Sequence, residues 1–275
     1  MKKDTPLPFR GLAWTLLLAG AFTMLYPYLW MVGASLKPMS ELNTPNLLPK
    51  NIVMEQYGKL WAMVPIATYF KNSVIVTLST VAVKLILCSL AGYAFAKHRF
   101  PGRDGLFLVL LVTMMIPAGV SIIPNFIIMS RLGWTNTYWA LIVPNAADAF
   151  SIFLARQYML GIPDDILEAA RIDGASETYV FWRIVLPLAT PVLGALGIIT
   201  FLGAWNDFFG PFIYFNEESV FTLPVGLAKI SVPRGDLVQG IQMAGSFLIT
   251  LPVVGVFLLL QRYFVAGMTA GALKE

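Results

Sequence analysis

Long stretches with few or no charged residues divide the chain, and they limit its possible folds more than any other feature. A helix needs roughly 20 such residues to cross a hydrocarbon core about 30 Å thick. Because 57% of the residues are hydrophobic and only 12% are charged, a soluble globule could not bury the apolar surplus. The sequence therefore predicts an all-α, polytopic membrane protein with six candidate transmembrane helices: Leu12–Leu36, Asn72–Ala96, Leu106–Met129, Tyr138–Leu154, Val185–Trp205 and Gln242–Leu260.

The distribution of lysine and arginine predicts the orientation of these helices. With the N-terminus inside, the cytoplasmic segments hold 11 of these residues and the longer outer segments hold 7. Cytoplasmic loops are enriched in positive charge, so we expect both termini in the cytoplasm of a plasma-membrane protein. The first stretch is too long for the apolar region of a signal peptide and predicts an uncleaved helix. The long outer loops, residues 37–71 and 206–240, are expected to be docking surfaces, with plain connectors as the alternative.

The segment Arg156–Arg183 has the composition of two short helices rather than of a simple loop. Pro163 suits the first turn of a helix, and the two aspartates after it complement the positive end of the helix dipole. Gly174 suits the left-handed end of that helix, and Ser176 can cap the next one. Small residues in the first helix, Ala169 and Ala170, permit close approach of another backbone. This composition favours a protein partner over a lipid surface.

These residues resemble a known motif. Their spacing is similar to the EAA loop of ABC importer permeases, which is carried here by Glu168-Ala169-Ala170, Gly174, Ile184 and Leu186-Pro187. The rest of the chain resembles the carbohydrate branch of that family, and most of all the smaller permease of maltose-type, binding-protein-dependent importers. The matching segments are Ala94–Arg103, Ala204–Phe208, Thr222–Leu227 and Gln261–Lys274.

The resemblance implies a type I ABC importer permease fold and a domain organisation. Residues 71–262 would form the transmembrane domain, with the EAA loop at about 161–187. Residues 1–70 would hold the N-terminal cytoplasmic segment, the first helix and the first periplasmic loop, and residues 263–275 would form a cytoplasmic tail.

The resemblance also implies partners and site residues. The EAA loop would be a coupling helix that sits in a cleft of an ATP-binding subunit through Glu168, Ala169, Ala170 and Gly174, with Arg171 and Asp173 at the rim. The tail would touch the same subunit through Thr269, Ala270 and Gly271. A second permease, two ATP-binding subunits and an extracytoplasmic sugar-binding protein, expected to contact residues 209–240, would complete the importer. ATP and Mg would bind to the partner ATPase subunits, so no cofactor is expected in this chain.

Two charged residues lie inside the predicted spans and must be stabilised there, since a charge at the bilayer centre costs about 2.5–3.5 kcal/mol. Lys84 and Asp148 would either pair or line a sugar path together with Asn125, Asn145 and Asn206. Alternatively, Asp148 lies in a water-filled vestibule and Lys84 reaches the membrane surface or a partner chain. Trp205, Asn206 and Asp207 are further candidates for the substrate path, with an interfacial aromatic belt as the alternative.

The sequence lacks the motifs that several classes of functional protein require. Gly58-Lys59 has Val53 where a phosphate-binding loop needs its first glycine, so the chain is not expected to bind ATP in that way. One histidine, His98, and one cysteine, Cys88, cannot build a metal cluster, and no catalytic constellation is visible. We expect a non-enzymatic permease that binds no nucleic acid, and we interpret His98 as solvated. An ion-coupled secondary transporter with Asp148 as its titrating group and a membrane scaffold or sensor remain the alternatives.

Overall fold

The computed structural model describes residues 7–42, 44–230 and 237–272 of the chain. Within these residues every regular element is helical and no strand is present, as the sequence predicts. The α-helices are α1 Leu7–Ser35, α2 Glu55–Met63, α3 Ile66–Lys97, α4 Arg103–Thr113, α5 Ala118–Arg131, α6 Trp139–Ile142, α7 Ala149–Leu160, α8 Asp164–Ile172, α9 Glu177–Val180, α10 Leu186–Leu188, α11 Thr190–Trp205, α12 Phe209–Tyr214, α13 Leu223–Ile230 and α14 Leu237–Ala272. A π-helical turn, Phe181–Val185, joins α9 to α10, and 3₁₀ turns lie at Met39–Glu41 and Glu218–Val220.

Three of the predicted spans are single long helices. Among the described residues, Gly11–Ser35, Ile66–Lys97 and Gln239–Gln261 are long and apolar enough to cross a membrane. Glu177–Leu188 and Thr190–Trp205 would make a fourth span if this pair, bent by 76°, crosses as one.

The other predicted spans are interrupted where proline enters the sequence. Leu106–Met129 is divided between α4 and α5, with the extended Pro117 directly before α5. Tyr138–Leu154 is divided between α6 and α7, and Pro144 lies in the break. Proline lacks a backbone N–H and disfavours helical geometry in the residue before it, which accounts for such breaks. The count of six spans and the orientation of the termini therefore stay predictions.

The described residues up to 66 form one compact unit with those between 227 and 251, and the described residues between 67 and 226 form another with those from 252 on. In the first unit, the fully buried ammonium of Lys37 donates to the carbonyls of Thr44 and Asn46 at 3.2 and 2.5 Å. The side chain of Gln56 lies against Gly240, where a Cβ would come within 2.7 Å of it. This glycine therefore permits α14 to pack closely on α2.

The second unit is built around an apolar cluster in which α3, α7, α8, α9 and α11 meet. Gly92 of α3 lies against α7, and a Cβ there would come 2.7 Å from the Cβ of Ala155. The buried members of the cluster are Tyr93, Ala96, Ala155, Met159, Ile162, Leu167, Val180, Phe181, Val185, Ala189, Val192 and Leu196. The cluster places the predicted EAA loop at one end of the long helix α3.

Candidate functional site

The first part of the site is the short helix α8, and it begins where the sequence predicts. Pro163 immediately precedes it with an extended backbone, φ −60° and ψ 133°, so the proline is the N-cap residue rather than part of the first turn. Asp164 and Asp165 occupy that first turn, where the unpaired N–H groups favour negative charge.

The end of α8 is a sharp left-handed stop, as the sequence predicts. Gly174 has a φ of +84°, which an L-residue with a Cβ adopts only under strain. The amide of Ala175 donates to the carbonyl of Ala170 and that of Gly174 to the carbonyl of Arg171, both at 3.0 Å. These two bonds form a Schellman motif. Ser176 then caps α9 by accepting from the amide of Tyr179 at 3.2 Å, so the chain reverses at once.

The two faces of α8 differ in what they contact. Leu167 is only 1% exposed and belongs to the apolar cluster, with Ala170 packed beside it. Glu168 and Ala169 are exposed, and Ile172 is 86% exposed. Of the predicted EAA contacts, the structure therefore leaves Glu168 and Ala169 open to a partner, whereas Ala170 packs largely inward.

Arg171, predicted as a rim contact for a partner, is engaged within the chain. Its Nε donates to Glu177 Oε1 at 2.7 Å and its Nη2 to Glu177 Oε2 at 3.3 Å. The Tyr93 hydroxyl of α3 donates to the same carboxylate at 3.0 Å. His98, which the sequence suggested to be merely solvated, has its ring 5.0 Å from that of Tyr93 and its Nε2 3.5 Å from Glu177. The predicted rim residue Asp173 is exposed at the end of α8.

Sequence reasoning missed a contact at the other end of α8. The ammonium of Lys97, the last residue of α3, donates to the Ile162 carbonyl at 2.5 Å and to Asp164 Oδ1 at 2.6 Å. This side chain is 5% exposed. The neighbouring ammonium holds the pKa of the Asp164 carboxyl below its usual range. The lysine that closes the apolar helix α3 and the aspartate that opens α8 were visible in the sequence, but nothing there indicated that they meet.

The second part of the site is a cavity of about 260 Å³ bordered by α3, α7 and α11. Lys84 and Asp148 meet on its wall as an ion pair, with Nζ 2.7 Å from Oδ2, so the structure shows one of the alternatives that the sequence left open. Asp148 also caps α7, because Oδ1 accepts from the amide of Ser151 at 2.8 Å and Oδ2 from its hydroxyl at 2.9 Å. The cavity is lined by Val76, Thr80, Lys84, Leu141, Asn145, Asp148, Phe150, Ser151, Ile199, Thr200, Gly203, Ala204, Asp207 and Pro211.

The three candidates at the end of α11, Trp205, Asn206 and Asp207, are placed differently from one another. Asp207 lines the cavity, and its Oδ1 accepts from the amide of Gly210 at 3.1 Å. Asn206 is exposed and donates to the carbonyl of Leu202 at 2.9 Å. Trp205 is 2% exposed and stacks on Phe201, with ring centroids 5.6 Å apart. Trp205 therefore packs inside the protein rather than on the cavity wall, because its large apolar ring has a better partner there.

Other predicted features are only partly covered by the described residues. Thr269, Ala270 and Gly271 lie in the last turns of α14, and their contact with an ATPase stays a prediction. Residues 231–236 of the outer loop and 273–275 of the tail lie outside the described residues. Within the described part, no three His, Cys, Asp or Glu side chains are grouped so that they could hold a metal ion.

Comparisons with known proteins agree with this architecture. Residues 84–270 match the family described as the binding-protein-dependent transport system inner membrane component. The chain is 36% identical over 287 residues to the arabinooligosaccharides transport system permease protein AraQ of Halalkalibacterium halodurans, covering 99% of both chains. It is 33% identical over 262 residues to the sn-glycerol-3-phosphate transport system permease protein UgpE of Yersinia enterocolitica, covering 92% of this chain and 93% of the relative.

A solved structure has the same fold along nearly the whole chain. A chain of a bacterial ABC transporter involved in the import of the acidic polysaccharide alginate superposes with a TM-score of 0.85 at 27% identity, covering 94% of this chain and 100% of that one. The relatives are permease subunits rather than enzymes, and each of the two covers 92% or more of the chain. The protein described here therefore belongs to the family of inner membrane components of binding-protein-dependent transport systems, with the type I ABC permease fold.

Proposed function

We propose that this chain is one membrane-spanning subunit of an ATP-driven importer, and that its solute is a carbohydrate delivered by an extracytoplasmic binding protein. The observation that carries the proposal is the geometry of α8, a short helix packed on the end of α3 by one face while Glu168, Ala169 and Ile172 remain exposed on the other. The names of the relatives support a carbohydrate or a related polyol phosphate as solute. They include arabinooligosaccharide, galactooligosaccharide and glycerol phosphate permeases.

In this proposal the chain supplies the path and a partner supplies the energy. A separate ATPase binds ATP and Mg, accepts α8 in a cleft, and moves it when it closes and reopens. The helices then alternate between inward-facing and outward-facing arrangements. A second permease completes the path, two ATP-binding subunits drive it, and Thr269, Ala270 and Gly271 of the tail give a further contact with the ATPase.

The proposed topology has six spans with both termini in the cytoplasm of a bacterial or archaeal plasma membrane. The three long helices and the bent pair account for four of the six, and α4 with α5 and α6 with α7 would cross as interrupted spans. This arrangement places α8 in the cytoplasm, on the side where ATP is available. The loop after α11 faces the binding protein outside.

The test is a charge reversal on the exposed face of α8. Glu168→Lys should leave the complex assembled in the membrane but remove coupling, because a basic residue in the ATPase cleft would meet a like charge. Loss of a partly desolvated charge pair costs about 2–5 kcal/mol, so we expect at least a tenfold fall in solute imported per ATP hydrolysed. Asp104→Lys is the matched control, since it reverses an 80% exposed carboxylate outside α8. Wild-type import by the Glu168 variant would overturn the proposal.

The ion-coupled alternative predicts a different energy source. It needs Asp148 free to titrate, whereas this carboxylate is paired with Lys84 and caps α7. We expect uptake in cells to stop on ATP depletion and to continue with a protonophore at constant ATP, and the opposite result would favour an ion-driven carrier. A membrane scaffold or sensor, by contrast, would not co-purify with an ATPase.

A further inference from the structure

Helix α8 is tied to α3 at its N-terminal end by one buried cation. Lys97 has a 5% exposed side chain, and its ammonium reaches two acceptors, the Ile162 carbonyl before α8 and the Asp164 carboxylate in its first turn. Charge-assisted hydrogen bonds are stronger than neutral ones and fix geometry more tightly. The start of α8 is therefore held to the last residue of α3.

The C-terminal end of α8 is tied to α3 by a second set of contacts. Arg171 holds Glu177 through two hydrogen bonds, and Glu177 also accepts from the Tyr93 hydroxyl. Tyr93 lies four residues before Lys97, so both side chains leave α3 on the same face. Between the two ties, the 1% exposed Leu167 packs into a cluster that includes Tyr93.

The same helix also reaches the membrane cavity. Lys84 lies 13 residues before Lys97 in α3, about 20 Å along the axis at a rise of about 1.5 Å per residue. Its ammonium forms the pair with Asp148 on the cavity wall. One uninterrupted helix therefore connects the attachment of α8 with the polar wall of the cavity.

We propose that Tyr93 and Lys97 form an α3 clamp, two positioning residues that make α8 and α3 move as one body and so transmit displacement of α8 to the cavity. The α3 clamp rests on the proposed function, since it needs an ATPase that displaces α8. It goes beyond that function because it assigns the transmission to residues of α3, outside the EAA loop. Without the clamp, α8 would follow the ATPase while α3 stayed behind, and ATP would be hydrolysed without import.

The first test measures ATP hydrolysed per solute imported by the whole transporter in proteoliposomes. Lys97→Met should keep ATPase co-purification and hydrolysis but raise this ratio at least threefold. Lys97→Arg, which can still donate to both acceptors, should stay within twofold of the wild type. Lys59→Met is the matched control, because it removes a 2.5 Å lysine–carboxylate pair within α2. A wild-type ratio in the Lys97→Met variant would refute the clamp.

A second variant keeps the test decisive if Lys97→Met fails to assemble. Lys97→Cys with Asp164→Cys, in a background where Cys88 is replaced by alanine, removes the ion pair and allows a short bis-methanethiosulfonate to join the two thiols. The unbridged transporter should be uncoupled, and bridging the same molecules should restore the ratio. Absence of recovery, or failure of the thiols to bridge, would contradict the proposal.

Comparison of the Glu168 and Lys97 variants distinguishes an error in the clamp from an error in the proposed function on which the clamp rests. If Glu168→Lys uncouples the transporter and the Lys97 variants do not, only the clamp is wrong. If Glu168→Lys imports normally, the proposed coupling through α8 is wrong as well.

Discussion

The backbone at Gly174 and the ion pair at Lys84 show how single residues determine the site. Gly174 adopts a φ of +84° with open space around its Cα, so conformation rather than packing requires glycine there. Lys84 has a 13% exposed side chain, and its charge is neutralised by Asp148. Gly174 sets where α8 ends, and Asp148 permits a cation in the middle of an apolar helix that is long enough to cross a membrane.

Substitution of Gly174 should therefore act through backbone strain. We expect Gly174→Ala to lower the free energy of unfolding by about 1–2 kcal/mol, the cost of a left-handed conformation for an L-residue. Thermal unfolding of the purified protein measures this. Gly105→Ala in α4 is the control, since that position has open space and ordinary helical geometry, and we expect no loss there. Equal effects at the two glycines would contradict this explanation.

The Lys84–Asp148 ion pair predicts that substitutions at these two positions have non-additive effects on stability. Lys84→Met leaves the Asp148 carboxylate without its cation, although Ser151 still donates to both carboxylate oxygens. Loss of a hydrogen bond between charged groups costs about 1.5–3 kcal/mol. Asp148→Asn removes the charge but keeps an oxygen that can cap α7. The double variant should therefore recover part of the stability that Lys84→Met loses, measured as a double-mutant cycle. A charge swap is a poorer test, since lysine at 148 could not accept from Ser151. Strict additivity would indicate that the pair contributes nothing.

At the scale of elements, the sequence predicted best what depends on local chemistry. Pro163, the paired aspartates, Gly174 and Ser176 predicted the bounds of α8 and the turn after it, because caps and left-handed stops are specified by neighbouring residues. The breaks at Pro117 and Pro144 were not predicted, because apolar length alone does not show where helix is interrupted. The contact of Lys97 with Asp164 joins residues far apart in the sequence and could be found only in the folded chain.

The two faces of α8 predict opposite outcomes for two apolar truncations. Leu167→Ala should destabilise the protein by about 2–4 kcal/mol, because it leaves a cavity in the cluster. Ile172→Ala removes an 86% exposed side chain and should change stability by less than about 0.5 kcal/mol. Under the proposed function, it should nevertheless weaken retention of the ATPase during purification. Chemical denaturation and co-purification measure the two effects, and a large loss of stability at Ile172 would contradict the assignment of faces.

At the scale of the whole molecule, the helical architecture and the family were predictable from the sequence, since apolar length and the EAA spacing specify both. The count of six spans stays a prediction, because only three described helices satisfy the length and composition of a span without interruption. Cavities and ion pairs inside the second unit also depend on how helices pack, which hydropathy does not encode.

The proposed topology predicts which positions are reachable from each side of the membrane. In a Cys88→Ala background, Asn46→Cys and Glu217→Cys should react with a membrane-impermeant maleimide added to intact cells, since both positions are exposed and belong to the outer loops. Thr178→Cys, exposed next to α8, should react only after the membrane is opened. Labelling of Thr178→Cys in intact cells would reverse the proposed orientation.

The interruptions between α4 and α5 and between α6 and α7 have a consequence for biogenesis. Hydrocarbon offers no water to the backbone, so irregular segments at membrane depth persist only against protein or an aqueous lumen. Under the proposed function, a newly inserted copy of this polypeptide that has not met a second permease would lack part of this surrounding protein. The cellular level of this subunit should therefore follow the synthesis of that second permease.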